Sequence, residues 1–188
     1  MLGTLAFYPS LGYNLLRNWV QPVKWQWYHR VDDTLLLGAM PFQSMAEELV
    51  EKEHVGGVVC CTEEFELSAG FKAMREADWK ARGVRFHHIP MRDFTGSTGR
   101  TEIEGAVGFI KEVEKEGKSV YVHCKAGRTR SATVATCYLM EKNRWLPNVA
   151  FEFLRGKRPQ VILRNAHWRT VNEYQRYLDK SLSLPSTP

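Results

Sequence analysis

The stretch KSVYVHCKAGRTRSATVATCYLM, residues 118–140, leaves this chain few ways to fold. KSVYVHC alternates and is rich in Val and Tyr, as a strand requires. From Thr129 onward small residues give way to Tyr138, Leu139 and Met140, the composition of a buried helix. Lys125–Thr129 must form the loop between them, so Cys124 sits at a strand-to-helix junction. Unpaired amides at a helix N-terminus point toward such a loop and carry partial positive charge, which suits an oxyanion. Gly127 lets the backbone turn and approach a ligand. Arg130 can present a planar fork to phosphate oxygens. The same field lowers the pKa of the Cys124 thiol. Lys125, Ala126, Gly127, Arg128, Thr129 and Arg130 therefore read as a phosphate cradle with a nucleophile at its floor. A buried cysteine followed by a basic turn is the plainer alternative, since free Cys is commonly buried.

His123, Cys124, Gly127, Arg130 and Ser131 spell H-C-x-x-G-x-x-R-S. This pattern resembles the signature of the cysteine-based protein-tyrosine and dual-specificity phosphatases. The resemblance implies that Cys124 attacks phosphorus while the loop amides and Arg130 hold the phosphoryl oxygens. It implies that the Ser131 hydroxyl assists the leaving thiolate, and that His123 organises the loop without transferring the proton.

The rest of the chain supplies an α/β pattern. TLLLGAM (34–40) and VGGVVCC (55–61) read as strands, with FQSMAEELVEKE as a helix between them. A polar helical stretch near 68–82 leads to the strand VRFHHIPM (84–91). TEIEGAVGFIKEVEKEGK then places Ile103, Ala106, Val107, Ile110 and Val113 on one helical face, with Thr101 and Glu104 as a capping box and Gly117 as a stop. The strand ending in Cys124 follows, then helices to about residue 181. Strands separated by helices imply a mostly parallel central sheet flanked by helices, with ligands at the C-terminal ends of the strands. The expected organisation is an N-terminal amphipathic helical extension (1–30), one dual-specificity-phosphatase-like domain (31–181) and a disordered Ser/Pro tail (182–188).

A phosphatase of this kind also needs a carboxylic acid, because the alkoxide of a phosphomonoester is a poor leaving group. PMRDFTGS follows the third strand and breaks helix and strand alike. Its Asp93 precedes Cys124 by 31 positions, close to the separation usual in dual-specificity phosphatases. An ordinary Asp turn is the alternative.

With 188 residues, 44% hydrophobic and 25% charged, the chain has the composition of a globular domain, and it contains no membrane-spanning apolar run. Cys60, Cys61, Cys124 and Cys137 show neither disulfide-framework nor zinc spacing, so no metal or other cofactor is expected. Cys137 reads as packing, and Cys61 as a core thiol with an oxidative link to Cys124 as the alternative. The net charge of +5 comes with no nucleic-acid motif, and bases near Cys124 suit a compact polyanion better than a duplex.

WYHRVDDTLLLGAMPF, GVVCCTEEFE, DFTG and VHCKAGRTRSAT together resemble the mitochondrial phosphatidylglycerophosphatase family, over about residues 7–178. That family's acidic motif has Tyr where this chain has Phe65 and Asn where it has Thr62. The resemblance implies phosphatidylglycerophosphate as substrate, a step of cardiolipin biosynthesis, and an anionic phospholipid partner at the matrix face of the mitochondrial inner membrane. Glu63, Glu64, Phe65 and Glu66, at the sheet edge shared with the cradle, become substrate-specificity candidates, and a solvated charge run is the alternative. Arg158 and Arg164 join them, while Arg155 and Lys157 read as solvated. Residues 1–31 have no acid but carry Arg17, Lys24 and Arg30. Leu5, Tyr8, Leu15 and Trp19 form a stripe, with Trp25 and Trp27 nearby, which describes a targeting or membrane-surface segment. A helix packed on the domain in a cytoplasmic protein is the alternative. The competing functions are a protein phosphotyrosine/phosphothreonine or phosphoinositide phosphatase, a catalytically dead phosphate-binding module, and a sulfur-transfer or arsenate-reducing enzyme.

Overall fold

Leu35–Gly38, Val55–Cys60 and Ser119–His123 carry no Lys, Arg, Asp or Glu and are buried along their whole length. Strands of that kind belong inside a sheet covered on both faces. The computed structural model, which describes residues 2–20, 26–70, 72–92 and 98–183, builds that arrangement. Strands β1 (Tyr28–Arg30), β2 (Leu35–Gly38), β3 (Val55–Cys60), β4 (Arg85–His88) and β5 (Ser119–His123) form one sheet in the order β1-β2-β5-β3-β4. The last four are parallel, and β1 returns antiparallel along β2. The pleat sends Leu35, Leu37, Val59, Val120 and Val122 into the larger core, and Leu36, Val58 and Tyr121 into a second one with Leu49 and Trp79.

The helices are α1 (Leu2–Val20), α2 (Glu64–Ala69), α3 (Glu76–Lys80), α4 (Arg100–Lys115), α5 (Arg130–Asn143), α6 (Pro147–Lys157) and α7 (Asn165–Ser183). Helix α5 is buried at every position from Arg130 to Met140, because it lies against the sheet with α4, α6 and α7 around it. Small residues on its first turns allow that enclosure.

Four local expectations change. Strand β1 lies within the segment assigned to the N-terminal extension, since three residues are too few to show alternation. FQSMAEELVEKE forms a 3₁₀ turn at Gln43–Met45 and a π-helical turn at Glu48–Lys52. The polar stretch near 68–82 is divided between α2 and α3. Its backbone there pairs with the segment after β2, Gln43 N–H donating to Lys72 and Met74 N–H to Pro41, so no continuous helix can form. Helix α4 starts at Arg100 with Gly99 as its cap, which leaves Thr101 inside the helix and Glu104 bonded to Arg100 and Tyr177.

Candidate active site

β5 ends in the middle of the sheet, so Cys124 emerges between the C-terminal ends of β2 and β3. The loop that follows closes down on β2. Gly127 has φ +64°, and a Cβ there would lie 2.4 Å from the carbonyl carbon and oxygen of Gly38. Only glycine meets both conditions.

The Cys124 sulfur accepts the Ser131 hydroxyl at 3.3 Å and the backbone amides of Ser131 and Arg128. Burial pushes this thiol up, but the Arg130 charge and these donors outweigh it and bring its pKa below the ordinary cysteine value. Burial pushes Cys60 up to about 11, and Cys61 and Cys137 up as well. Of the four cysteines, Cys124 alone is held toward the thiolate. Burial drives His123, the preceding residue, down to about 3, which leaves the imidazole neutral at physiological pH.

Arg130 is buried and donates to both oxygens of Glu66, at 2.5 and 3.0 Å, and to the carbonyls of Met91 at 3.0 Å and Cys61 at 3.4 Å. This bidentate pair fixes the plane of the guanidinium. Glu66 also accepts the Glu63 amide at 2.9 Å, so the start of α2 sets its position.

A cavity of about 140 Å³ opens over Cys124. Lys125, Arg128, Arg130 and Arg164 line it, and no carboxylate does among the described residues. Ala126 and Thr129 complete the loop side. Four cations around an activated thiol can bind a phosphate dianion and present its phosphorus to sulfur.

The structure corrects several expectations for the site. Glu66 is not a surface selector: it is fully buried and paired with Arg130. Glu63, Glu64 and Phe65 do not line the cavity, and Glu64 and Phe65 face solvent. Arg158 is 1% exposed and lies behind the loop, unlike the exposed Arg164 at the rim. Trp27 is half-buried, donating to the Met40 carbonyl and packing on Phe42, so it is no interfacial anchor. Asp93, Trp25 and the side chains of Leu5 and Leu15 lie outside the described residues. The segment leading to Asp93 reaches the site at Met91, whose carbonyl accepts from Arg130.

Sequence reasoning missed Ser10 and Tyr13, which put α1 on the cavity wall, and Ile162 and His167, which also line the cavity. The periodicity of α1 says only that one face is apolar, not which surface it covers. Leu11, the residue between them in this contact, is buried against Met40, Leu67 and Ala73.

Residues 49–177 match the model of the dual specificity phosphatase catalytic domain. The chain is 36% identical over 176 residues to a mouse protein named phosphatidylglycerophosphatase and protein-tyrosine phosphatase 1, covering 93% of this chain and 90% of that one. It is 37% identical over 174 residues to the Arabidopsis thaliana phosphatidylglycerophosphate phosphatase PTPMT2, covering 93% and 73%. A crystal structure of PTPMT1 in complex with PI(5)P superposes with a TM-score of 0.80 at 33% identity, covering 84% of this chain and all of that one. Similarity of this extent, around a loop built in this way, makes the chain a member of the dual-specificity phosphatase family and a cysteine-dependent phosphatase.

Proposed function

We propose that this phosphatase removes the terminal phosphate of phosphatidylglycerophosphate through a phosphocysteine. The Cys124 thiolate attacks phosphorus, forming the S–P bond as the P–O bond to glycerol breaks. Asp93 gives its proton to the departing oxygen, and its carboxylate then takes one from the water that attacks the phosphocysteine. The S–P bond breaks, inorganic phosphate leaves, and the Ser131 hydroxyl receives the returning thiolate. Arg130 and the loop amides bind the phosphoryl oxygens throughout.

The observation that carries this reading is the cavity itself, four cations and no described carboxylate around the one activated thiol. Phosphatidylglycerophosphate brings a phosphomonoester to sulfur and a phosphodiester to the rim, where Arg164 stands exposed. The names of the relatives point the same way. Phosphate release from phosphatidylglycerophosphate, phosphoinositides and phosphopeptides, compared at equal concentration, tests it. Phosphatidylglycerophosphate is expected to be turned over fastest, and a preference for phosphopeptides would overturn the lipid assignment. A phosphoinositide is the second reading, favoured by the PI(5)P complex of the similar structure.

The role of Asp93 has its own test. Asp93→Asn is expected to slow an alkyl phosphate by about 10²–10⁴-fold, the usual contribution of general acid catalysis. An aryl phosphate, whose leaving group needs less help, should lose far less. Equal small losses on both would assign Asp93 to loop structure.

The same reading places the enzyme on an anionic membrane surface, at the matrix face of the mitochondrial inner membrane. No described helix is long and apolar enough to cross a membrane. Helix α1 contains no acidic residue, lines the cavity with Ser10 and Tyr13, and exposes Leu16, Trp19 and Val20 further along. Exposed aromatics and aliphatics on a helix suit the interface between headgroups and acyl chains. Removing residues 1–20, which spares β1, is expected to reduce turnover of phosphatidylglycerophosphate in anionic vesicles several-fold more than turnover of a soluble aryl phosphate. Parallel losses on both substrates, with a drop in Tm, would make α1 only a wall of the domain.

A further inference from the structure

A phosphate cradle works only if its backbone amides point inward, so its carbonyls must find partners outside. The described residues account for every carbonyl from Lys125 to Thr129. Lys125 accepts the Met40 amide at 3.2 Å, Arg128 the Ile162 amide at 2.9 Å and Thr129 the Thr133 amide at 3.0 Å. The middle two, Ala126 and Gly127, have no such backbone partner among the described residues. The Arg158 guanidinium donates to both of them, at 3.2 Å to Ala126 and 2.8 Å to Gly127. One side chain thus holds the tip of the loop from behind.

Arg158 is itself held from the opposite side. It donates to the Gln26 carbonyl at 3.1 Å and contacts His29 Nδ1 at 2.8 Å. Gln160 donates to the same Gln26 carbonyl at 3.3 Å. Burial and the Arg158 charge lower the His29 pKa to about 4, so at neutral pH this ring is an acceptor and Nδ1 takes the arginine's proton donor. Among the described residues the partners of Arg158 are three carbonyl oxygens and a neutral ring, and none is a carboxylate. A buried arginine bonded to a carboxylate would have its charge neutralised locally. This one leaves its charge to act on what lies across the loop: burial lowers its pKa to about 10, still charged at neutral pH, while Tyr121 and then Cys124 work the other way.

We propose that Arg158 is a positioning residue of the active site, holding the Ala126 and Gly127 carbonyls outward so that the loop amides converge on the phosphoryl group, and adding positive charge behind Cys124. It touches neither sulfur nor substrate and acts through the loop. Gln26 and His29 make the segment entering β1 part of the same device, although they lie 132 and 129 positions from Arg158 in the chain. The proposal rests on reading the Cys124 loop as a phosphate cradle.

Vanadate affinity and the pH dependence of Cys124 alkylation separate this role from simple stabilisation. The ionisable groups around Cys124 include Lys125 and Arg128 of the loop, Arg130 on α5, Arg164 and His167 on the cavity wall, Tyr121 and His123 on β5, Cys61 after β3 and Arg158, and of these the variants change only Arg158. Arg158→Met, Arg158→Lys and His29→Leu would be compared with Val113→Ala, a buried substitution in α4 remote from the loop. Arg158→Met is expected to weaken vanadate binding by about 10-fold or more, the loss expected for hydrogen bonds to a charged group. It should also move the alkylation midpoint to higher pH, with Arg158→Lys and His29→Leu showing smaller changes in the same direction. Val113→Ala should lower Tm and leave both readouts at their original values. If Arg158→Met does not fold, Arg158→Lys and His29→Leu decide. A folded variant with lowered Tm but unchanged vanadate affinity and unchanged alkylation midpoint would overturn the proposal. Failure of the unmodified protein to bind vanadate would instead overturn the cradle reading on which it rests.

Discussion

Cys124→Ser is expected to lower phosphate release by about 10⁴-fold or more while leaving the fold intact, the scale of loss seen when an enzyme's nucleophile is removed. The sulfur is buried among donors that favour a negative charge, namely the Ser131 hydroxyl, two amides and the nearby Arg130. A serine hydroxyl there is nearly isosteric but ionises far less readily than a thiol, so the cradle would remain and the attacking electron pair would not. Vanadate or phosphate should therefore still protect the variant against heat. The pH profile follows from the direction of the shift. Because the Cys124 pKa lies below the ordinary value, alkylation by iodoacetate should persist below the pH at which a free cysteine stops reacting. Cys60, Cys61 and Cys137, all pushed up by burial, should stay unmodified in the native protein. Steady turnover by Cys124→Ser would eliminate the covalent route.

Glu66→Gln is expected to have the second largest effect, and on stability as well as activity. Glu66 and Arg130 are both buried and share two hydrogen bonds, so neutralising the carboxylate leaves an uncompensated guanidinium in the interior. Breaking such a pair from one side costs about 3–5 kcal/mol, which for a chain of this size lowers Tm on the order of 10 °C. Activity should fall too, because Arg130 would lose the partner that sets its plane. Glu64→Gln, at an exposed position on the same helix, should change Tm little, as surface substitutions usually do. Equal thermal shifts for the two variants would return the acidic stretch to the surface role read from its sequence.

The contrast between Glu64 and Glu66 shows where local pattern stops being informative. In TEEFE three glutamates are chemically alike, and nothing within the stretch says which one is buried. Helix α2 begins at Glu64 and turns Glu66 toward an arginine 64 positions away. Arg158 and Arg164 are a similar pair. Both occur in one basic stretch after α6, yet one is buried against the loop tip and the other is exposed at the cavity rim. The N-terminal helix was legible as acid-poor and apolar on one side. That Ser10 and Tyr13 would wall the cavity was not, because amphipathicity records a face and not its partner.

What the sequence determined by itself is the cradle and the sheet that presents it. The requirements for binding phosphate beside a thiolate are short-range: a strand end, a glycine with positive φ, a helix start and one arginine. All fall between His123 and Ser131 and need no other part of the chain to be recognised. The alternating and fully apolar strands likewise announce a covered parallel sheet, since backbone pairing and burial are written residue by residue. The tertiary structure decided which side chains hold that loop still. Glu66 for Arg130, and Arg158 with Gln26 and His29 for the Ala126–Gly127 tip, come from segments up to 132 positions away. A buried charge is tolerated only where folding supplies its partners, and those partners exist as neighbours only once the sheet has closed.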